Sequence, residues 1–189
     1  KGTMWEGGYR VPCIMRWPGK IPAGTTCDEL ATTLDLVPTI TRLIGAELPG
    51  DRVIDGKDVW PLMSGDEDAV SPHEAFYCYY GGALCAVRDR RWKLVFPHEY
   101  RSLDGKPGGA AGKPSAYRQL KTDKCLFDLK NDLGETANVI DDHPDVVAHL
   151  EMHAEKARSA LGDTLTRRKG NEVRPAGQLA GVAQNAVAP

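Results

Sequence analysis

The sequence predicts an α/β chain, and three features predict it. Apolar residues recur at helical spacing over 36–44 and again over 147–161, and short β-type runs lie between them at 76–96. A length of 189 residues fits one domain or about one and a half. With 41% hydrophobic and 26% charged residues the chain can bury a sizeable core, which sets it apart from disordered sequences. Lys plus Arg number 24 against 26 Asp plus Glu, and this near balance argues against a broad nucleic-acid footprint.

The chain opens on Lys1, so it reads as a piece of something longer. Pro12, Pro18 and Pro22 interrupt the N-terminal stretch, which shows no secretory-signal pattern. No apolar run approaches the ~20 residues that a membrane-spanning helix needs.

In chain order, Gly7-Gly8 marks a turn or a close backbone approach. Residues 11–17 then read as a buried strand closed by Pro18-Gly19. Leu36, Val37, Ile40, Leu43 and Ile44 form one helical face, with Asp35 as N-cap, Pro38 in the tolerated first turn and Gly45 as the stop. That helix should pack on the strand before it. Residues 46–72 are loop-rich. Asp55 and Asp58 lack the further oxygen ligands that calcium requires, so Asp55-Gly56 is better read as a turn.

Runs at 76–80, 84–88 and 92–96 predict an antiparallel meander, with Asp89-Arg90 as a turn and Trp92, Leu94 and Phe96 on one face. The basic cluster 88–93 fits either a solvated strand face or a binding patch. Residues 99–124, rich in Gly, Pro and Lys, predict an ordered surface excursion and lack the order of a phosphate-binding loop. A further strand is expected at 126–129. Val147, Leu150, Ala154, Ala157 and Leu161 then mark a helix, with Pro144 near its start and Gly162 after its end. His149 and His153, four apart beside that stripe, lack an evident third metal ligand. From residue 164 the pattern fades into an expected disordered tail.

Five cysteines are scattered without a CxxC pair, which argues against zinc, and their odd number leaves at least one unpaired within the chain. Cys13, Cys78 and Cys85 lie in apolar runs and read as small buried hydrophobes, and a Cys78–Cys85 bridge is not expected. No complete catalytic constellation is present.

Several stretches, taken together in order, resemble the type I sulfatases of the arylsulfatase class, in the alkaline-phosphatase-like superfamily. They are Lys1-Gly2-Thr3 with Glu6-Gly7-Gly8-Tyr9-Arg10-Val11-Pro12, Trp17-Pro18-Gly19, Asp35-Leu36-Val37-Pro38-Thr39, Asp55-Gly56, Phe76-Tyr77 with Tyr79-Tyr80, Ala86-Val87-Arg88, Trp92-Lys93-Leu94, and Leu126-Phe127-Asp128-Leu129 with Gly134-Glu135-Thr136. The excursion beginning His98-Glu99-Tyr100-Arg101-Ser102 looks like that of bacterial members. Two positions depart from the pattern, Arg90 in place of a turn glycine and Leu133 in place of a proline, and both bear on turn geometry.

The resemblance implies that residues 1–72 end a large sulfatase-like mixed-sheet domain. Residues 73–163 would then form a small C-terminal α+β subdomain of antiparallel strands plus a helix, with the tail at 164–189. It further implies hydrolysis of aryl or carbohydrate sulfate esters through a formylglycine nucleophile beside Ca2+. Both belong to the missing N-terminal part of the same enzyme, so this fragment alone should be inactive and holds no metal. None of the five cysteines is followed by x-Pro-x-Arg, the nucleophile pattern of the family.

Of the family's catalytic residues only the lysine maps here, as Lys1, whose ammonium would face the sulfate oxygens. Glu6 and Arg10 would brace its segment. His98 would contact the non-sulfate part of the substrate, and Arg101, with Lys106, would meet further negative charge on a polysulfated glycan. Localisation would be periplasmic or extracellular. Two alternatives remain open: a phosphoester or phosphonate hydrolase of the same superfamily, since lysine binds phosphate as readily, and a non-catalytic module binding sulfated glycans.

Overall fold

The computed structural model describes residues 2–175. Its centre is an antiparallel sheet in the order β1-β2-β3-β6, formed by Phe76–Tyr80 (β1), Ala83–Arg88 (β2), Trp92–Val95 (β3) and Cys125–Asp128 (β6). The two-residue turn Gly81-Gly82 closes β1 on β2, with φ of 55° and 83°, the combination a type I′ hairpin demands. Asp89 shapes the next turn, its carboxylate accepting the amides of Arg91 and Trp92. The meander read from the sequence is therefore present, with Trp92, Leu94 and Phe96 sharing one face.

That face is covered by the long helix Pro144–Leu161 (α4). Leu150, Ala154 and Ala157 of α4 pack on Leu84, Val87, Leu94, Phe96 and Leu126. The opposite face carries Cys78, Cys85, Val95 and Phe127, and the N-terminal segment lies over it through Met4. Burial on both sides explains why β2 is nearly all apolar rather than alternating. Its one charge, Arg88, needs a partner inside.

Between β3 and β6 the chain leaves the sheet as a second pair, His98–Ser102 (β4) against Arg118–Thr122 (β5). The predicted excursion thus has its own ladder, with 103–117 as its loop.

Several expectations are corrected. Residues 11–17 form no strand: no neighbouring strand among the described residues supplies their hydrogen bonds, and Cys13 and Ile14 are exposed rather than buried. The helix Leu36–Leu43 (α2) exists, yet Leu36, Val37, Ile40 and Ile44 face outward, because no apolar surface among the described residues meets them. Pro38 and Thr39 are its buried positions, and the Thr39 hydroxyl accepts at 3.0 Å the amide of Val59, which opens the short helix Trp60–Ser64 (α3).

Asp35 is not the side-chain cap of α2. It closes a capping box with Thr32 one 3₁₀ turn earlier. Its buried carboxylate accepts the amides of Thr32 at 2.6 Å and Lys57 at 2.8 Å and meets His73 Nε2 at 2.7 Å, so one side chain ties three loops.

In α4 the outer end of the predicted stripe, Leu161, is half-exposed, while His153 and Arg158 are buried. Arg158 is drawn in by Asp163 at 3.0 Å, and Asp163 also accepts the Leu84 amide, bolting the helix end to β2. The expected tail at 164–189 is ordered where it begins: Arg168–Lys169 (β8) pairs with Gly162–Asp163 (β7). Residues 176–189 lie outside the described residues.

Candidate functional site

The N-terminal segment is fixed on the sheet residue by residue. Met4 is buried, and the Trp5 ring stands edge-on to Tyr100 at 5.3 Å and Phe127 at 5.9 Å. Glu6–Tyr9 (α1) makes one helical turn, from which the Tyr9 hydroxyl donates to the Tyr79 carbonyl at 3.1 Å. A Cβ on Gly8 would sit 2.3 Å from the Thr3 carbonyl oxygen, so the fold-back of residues 3–8 requires glycine there. Close approach at Gly8, rather than a left-handed turn, is the use made here, while a Cβ on Gly7 would meet open space.

Glu6 is buried at the centre of a charge cluster. Its Oε2 accepts from Arg88 Nη1 at 2.9 Å and pairs with Arg10 Nε at 3.4 Å, while Oε1 meets Lys93 Nζ at 3.1 Å. Lys93, with no exposed surface, also pairs with Glu135 Oε1 at 2.7 Å. The other oxygen of Glu135 accepts the backbone amide of Glu6 at 2.6 Å, satisfying one of the free donors that open α1. Three cations thus enclose two carboxylates. The Cys78 thiol lies near these charges, and its burial pushes its pKa up to about 12.

Beside this cluster Gly2, Thr3, Cys85, His98, Tyr100 and Arg101 line a cavity of about 80 Å3. A Cβ on Gly2 would come within 2.1 Å of Arg101 Nη2, so the arginine plane lies directly against the bare backbone there. The same guanidinium covers the Tyr117 ring at 5.2 Å. His98 Nδ1 is 2.7 Å from the Phe96 carbonyl and donates to it. In the neutral ring this fixes Nε2 as an acceptor, and that buried atom has no partner among the described residues. Burial raises the Cys85 thiol to about 11, so this wall offers no thiolate nucleophile at neutral pH.

His98 and Arg101 are therefore brought together with the residue next to Lys1. Lys1 itself lies outside the described residues. Glu6 and Arg10 sit in the charge cluster, and Lys106 is exposed on the 103–117 loop, outside the cavity wall. Among the described residues no group of three or more His, Cys, Asp or Glu could hold a metal ion. The donor set present here does not fit calcium, and His149 and His153 simply meet edge to face at 4.9 Å.

Sequence reasoning missed Arg88, Lys93 and Glu135. The basic cluster at 88–93 is no patch: Arg90 and Arg91 point out to Glu29 and Asp128, while Arg88 and Lys93 point in to Glu6. The strand alternation held the signal, since Trp92, Leu94 and Phe96 facing one core leave Lys93 facing the other.

The chain matches two families, N-sulphoglucosamine sulphohydrolase, C-terminal, over residues 1–104 and the C-terminal region of aryl-sulfatase over residues 71–181. It belongs to the sulfatase family and carries the C-terminal region of that fold. Among its relatives, steryl-sulfatase of Mus musculus is 38% identical over 174 residues, covering 85% of this chain and 28% of the relative. Arylsulfatase D of Homo sapiens is 49% identical over 141 residues, covering 69% of this chain and 24% of the relative. The PsFucS1 sulfatase from Pseudoalteromonas sp. superposes with a TM-score of 0.63 at 26% identity, covering 84% of this chain and 32% of that one. The chain thus spans about a third or less of the length of these proteins.

Proposed function

We propose that this chain forms one wall of the active site in an enzyme that hydrolyses sulfate esters to an alcohol and sulfate. The observation that carries this reading is the convergence of Gly2, His98 and Arg101 on one cavity, with the buried His98 Nε2 unpartnered among the described residues. Lys1, one residue before that cavity, places its ammonium against sulfate oxygens, where charge builds as the S–O bond to the alcohol breaks. His98 accepts a hydrogen bond from the alcohol portion of the ester, and Arg101 meets further negative charge beside it.

The formylglycine nucleophile and the calcium ligands are assigned to the preceding part of the same protein, and the chain by itself is inactive. The apolar outward face of α2, with Ile14 and Trp17, is the surface on which that preceding part rests. The relatives' greater length supports this assignment.

The test uses the full-length protein and 4-nitrophenyl sulfate. Lys1→Ala is expected to lower kcat about a hundredfold or more, the scale of losing one transition-state donor, with Tm unchanged. Unchanged turnover rejects the role given to Lys1. Phosphate ester hydrolysis with no sulfatase activity rejects the reaction class.

A further inference from the structure

We propose that Glu135 and Lys93 are positioning residues for Lys1, holding the lysine segment at its working distance from the site. The proposal rests on the reading of Lys1 as the sulfate contact and adds to it the device that sets where Lys1 stands.

The geometry is that of a two-point anchor. Glu135 Oε2 takes the Glu6 amide at 2.6 Å, which fixes the backbone at the start of α1. Lys93 Nζ joins Glu6 Oε1 at 3.1 Å to Glu135 Oε1 at 2.7 Å, which fixes the side chain of the same residue. Both contacts reach far along the chain, to β3 and to the loop after β6, so they are made only when the sheet is assembled. Glu135 is itself held in place. It adopts a left-handed φ of 55°, and Asp132 secures its loop by accepting the amides of Thr136 at 2.7 Å and Ala137 at 2.8 Å.

From Glu6 back to Lys1 is five residues, a reach of no more than about 18 Å. Within it Met4 is buried and Trp5 is packed between two rings, so residues 4–6 are held to the sheet as one segment, of which Glu6 is the end fixed by charge. A misplacement near 1 Å at a reacting group costs up to about a hundredfold in rate.

The experiment is a double-mutant cycle in the full-length enzyme with 4-nitrophenyl sulfate. It uses Lys1→Ala, Glu135→Ala, the two combined, and Glu135→Gln alone and with Lys1→Ala. Glu135→Ala is expected to lower kcat about ten- to a hundredfold with KM changed less than about threefold. Glu135→Gln keeps an acceptor for the Glu6 amide and should lose less.

In the Lys1→Ala background neither Glu135 substitution should lower kcat further, because a residue that acts through Lys1 has nothing left to act on. Losses that multiply in the double variants overturn the proposal and leave a merely structural anchor. Full activity of both Glu135 variants overturns it too. Unchanged kcat in Lys1→Ala alone fails the underlying reading instead, and is told apart by that single variant. Should Glu135→Ala not fold, the Glu135→Gln arm of the cycle decides by the same criterion.

Discussion

Replacing Lys93 by Met removes a cation that no water can replace. Lys93 has no exposed surface, and both of its acceptors, Glu6 and Glu135, have side chains no more than 5% exposed. The two carboxylates do not lose equally. Among the described residues Glu6 keeps Arg88 and Arg10, whereas Glu135 keeps only the Glu6 amide. Breaking a buried pair from one side generally costs about 3–5 kcal/mol, because the remaining charge stays buried and uncompensated. Because Glu6 stays paired, most of the loss falls at Glu135.

Adding Glu135→Gln to Lys93→Met removes the orphaned charge and should recover about half of the loss or more. Urea denaturation followed by tryptophan fluorescence is a suitable assay, since Trp5 packs on Phe127 within this face. A Lys93→Met variant within about 1 kcal/mol of the parent, or a double variant less stable than the single one, refutes the reasoning.

Two further outcomes are expected. In the folded protein the exposed Cys27 should react with a thiol reagent at pH 8, whereas Cys78 and Cys85, held up to about 12 and 11 by burial, should react only after denaturation; prompt labelling of Cys78 contradicts the packing of the second face. His153 has its pKa lowered, first by burial and then by His149 and Lys156, so the unfolded chain binds its proton more readily. The stability this residue contributes is complete above about pH 6.5 and falls as pH drops through the lowered value. Tm measured from pH 7.5 to 5 should decline less steeply in His153→Leu, and an identical slope discards the assignment.

Much of the small sheet was legible in advance, because its strands and α4 satisfy one another within the chain. Gly81-Gly82 sets the hairpin, and the period of Leu150, Ala154 and Ala157 matches the face of Leu94 and Leu126. The first part was legible only as pattern. Residues 11–17 and α2 have the apolar spacing of core elements, but spacing says nothing about what they meet, and here most of their apolar side chains stay exposed, with contacts such as Trp17 on Trp60 and Thr39 on Val59 at their margins. The candidate site was legible only in part. His98 and Arg101 are named through the resemblance, and the structure puts both on one strand and in one cavity wall, while the partner of Glu6 depended on pairing Arg88 with Lys93 across β2 and β3. Residue types alone do not fix such a cross-strand register.

The route of the chain between β3 and β6 carries a separate consequence. Those two strands pair directly, from Trp92↔Asp128 to Val95↔Cys125, although β4 and β5 lie between them in sequence. The ladder closes beneath the excursion, so its apex can be lengthened, shortened or recomposed while the sheet below stays stitched. Each doubling of such a loop costs only about 0.6 kcal/mol. Changes of length or composition at 103–117 are therefore separable from the packing of the four-stranded sheet, with His98 as the first residue of the excursion's own ladder.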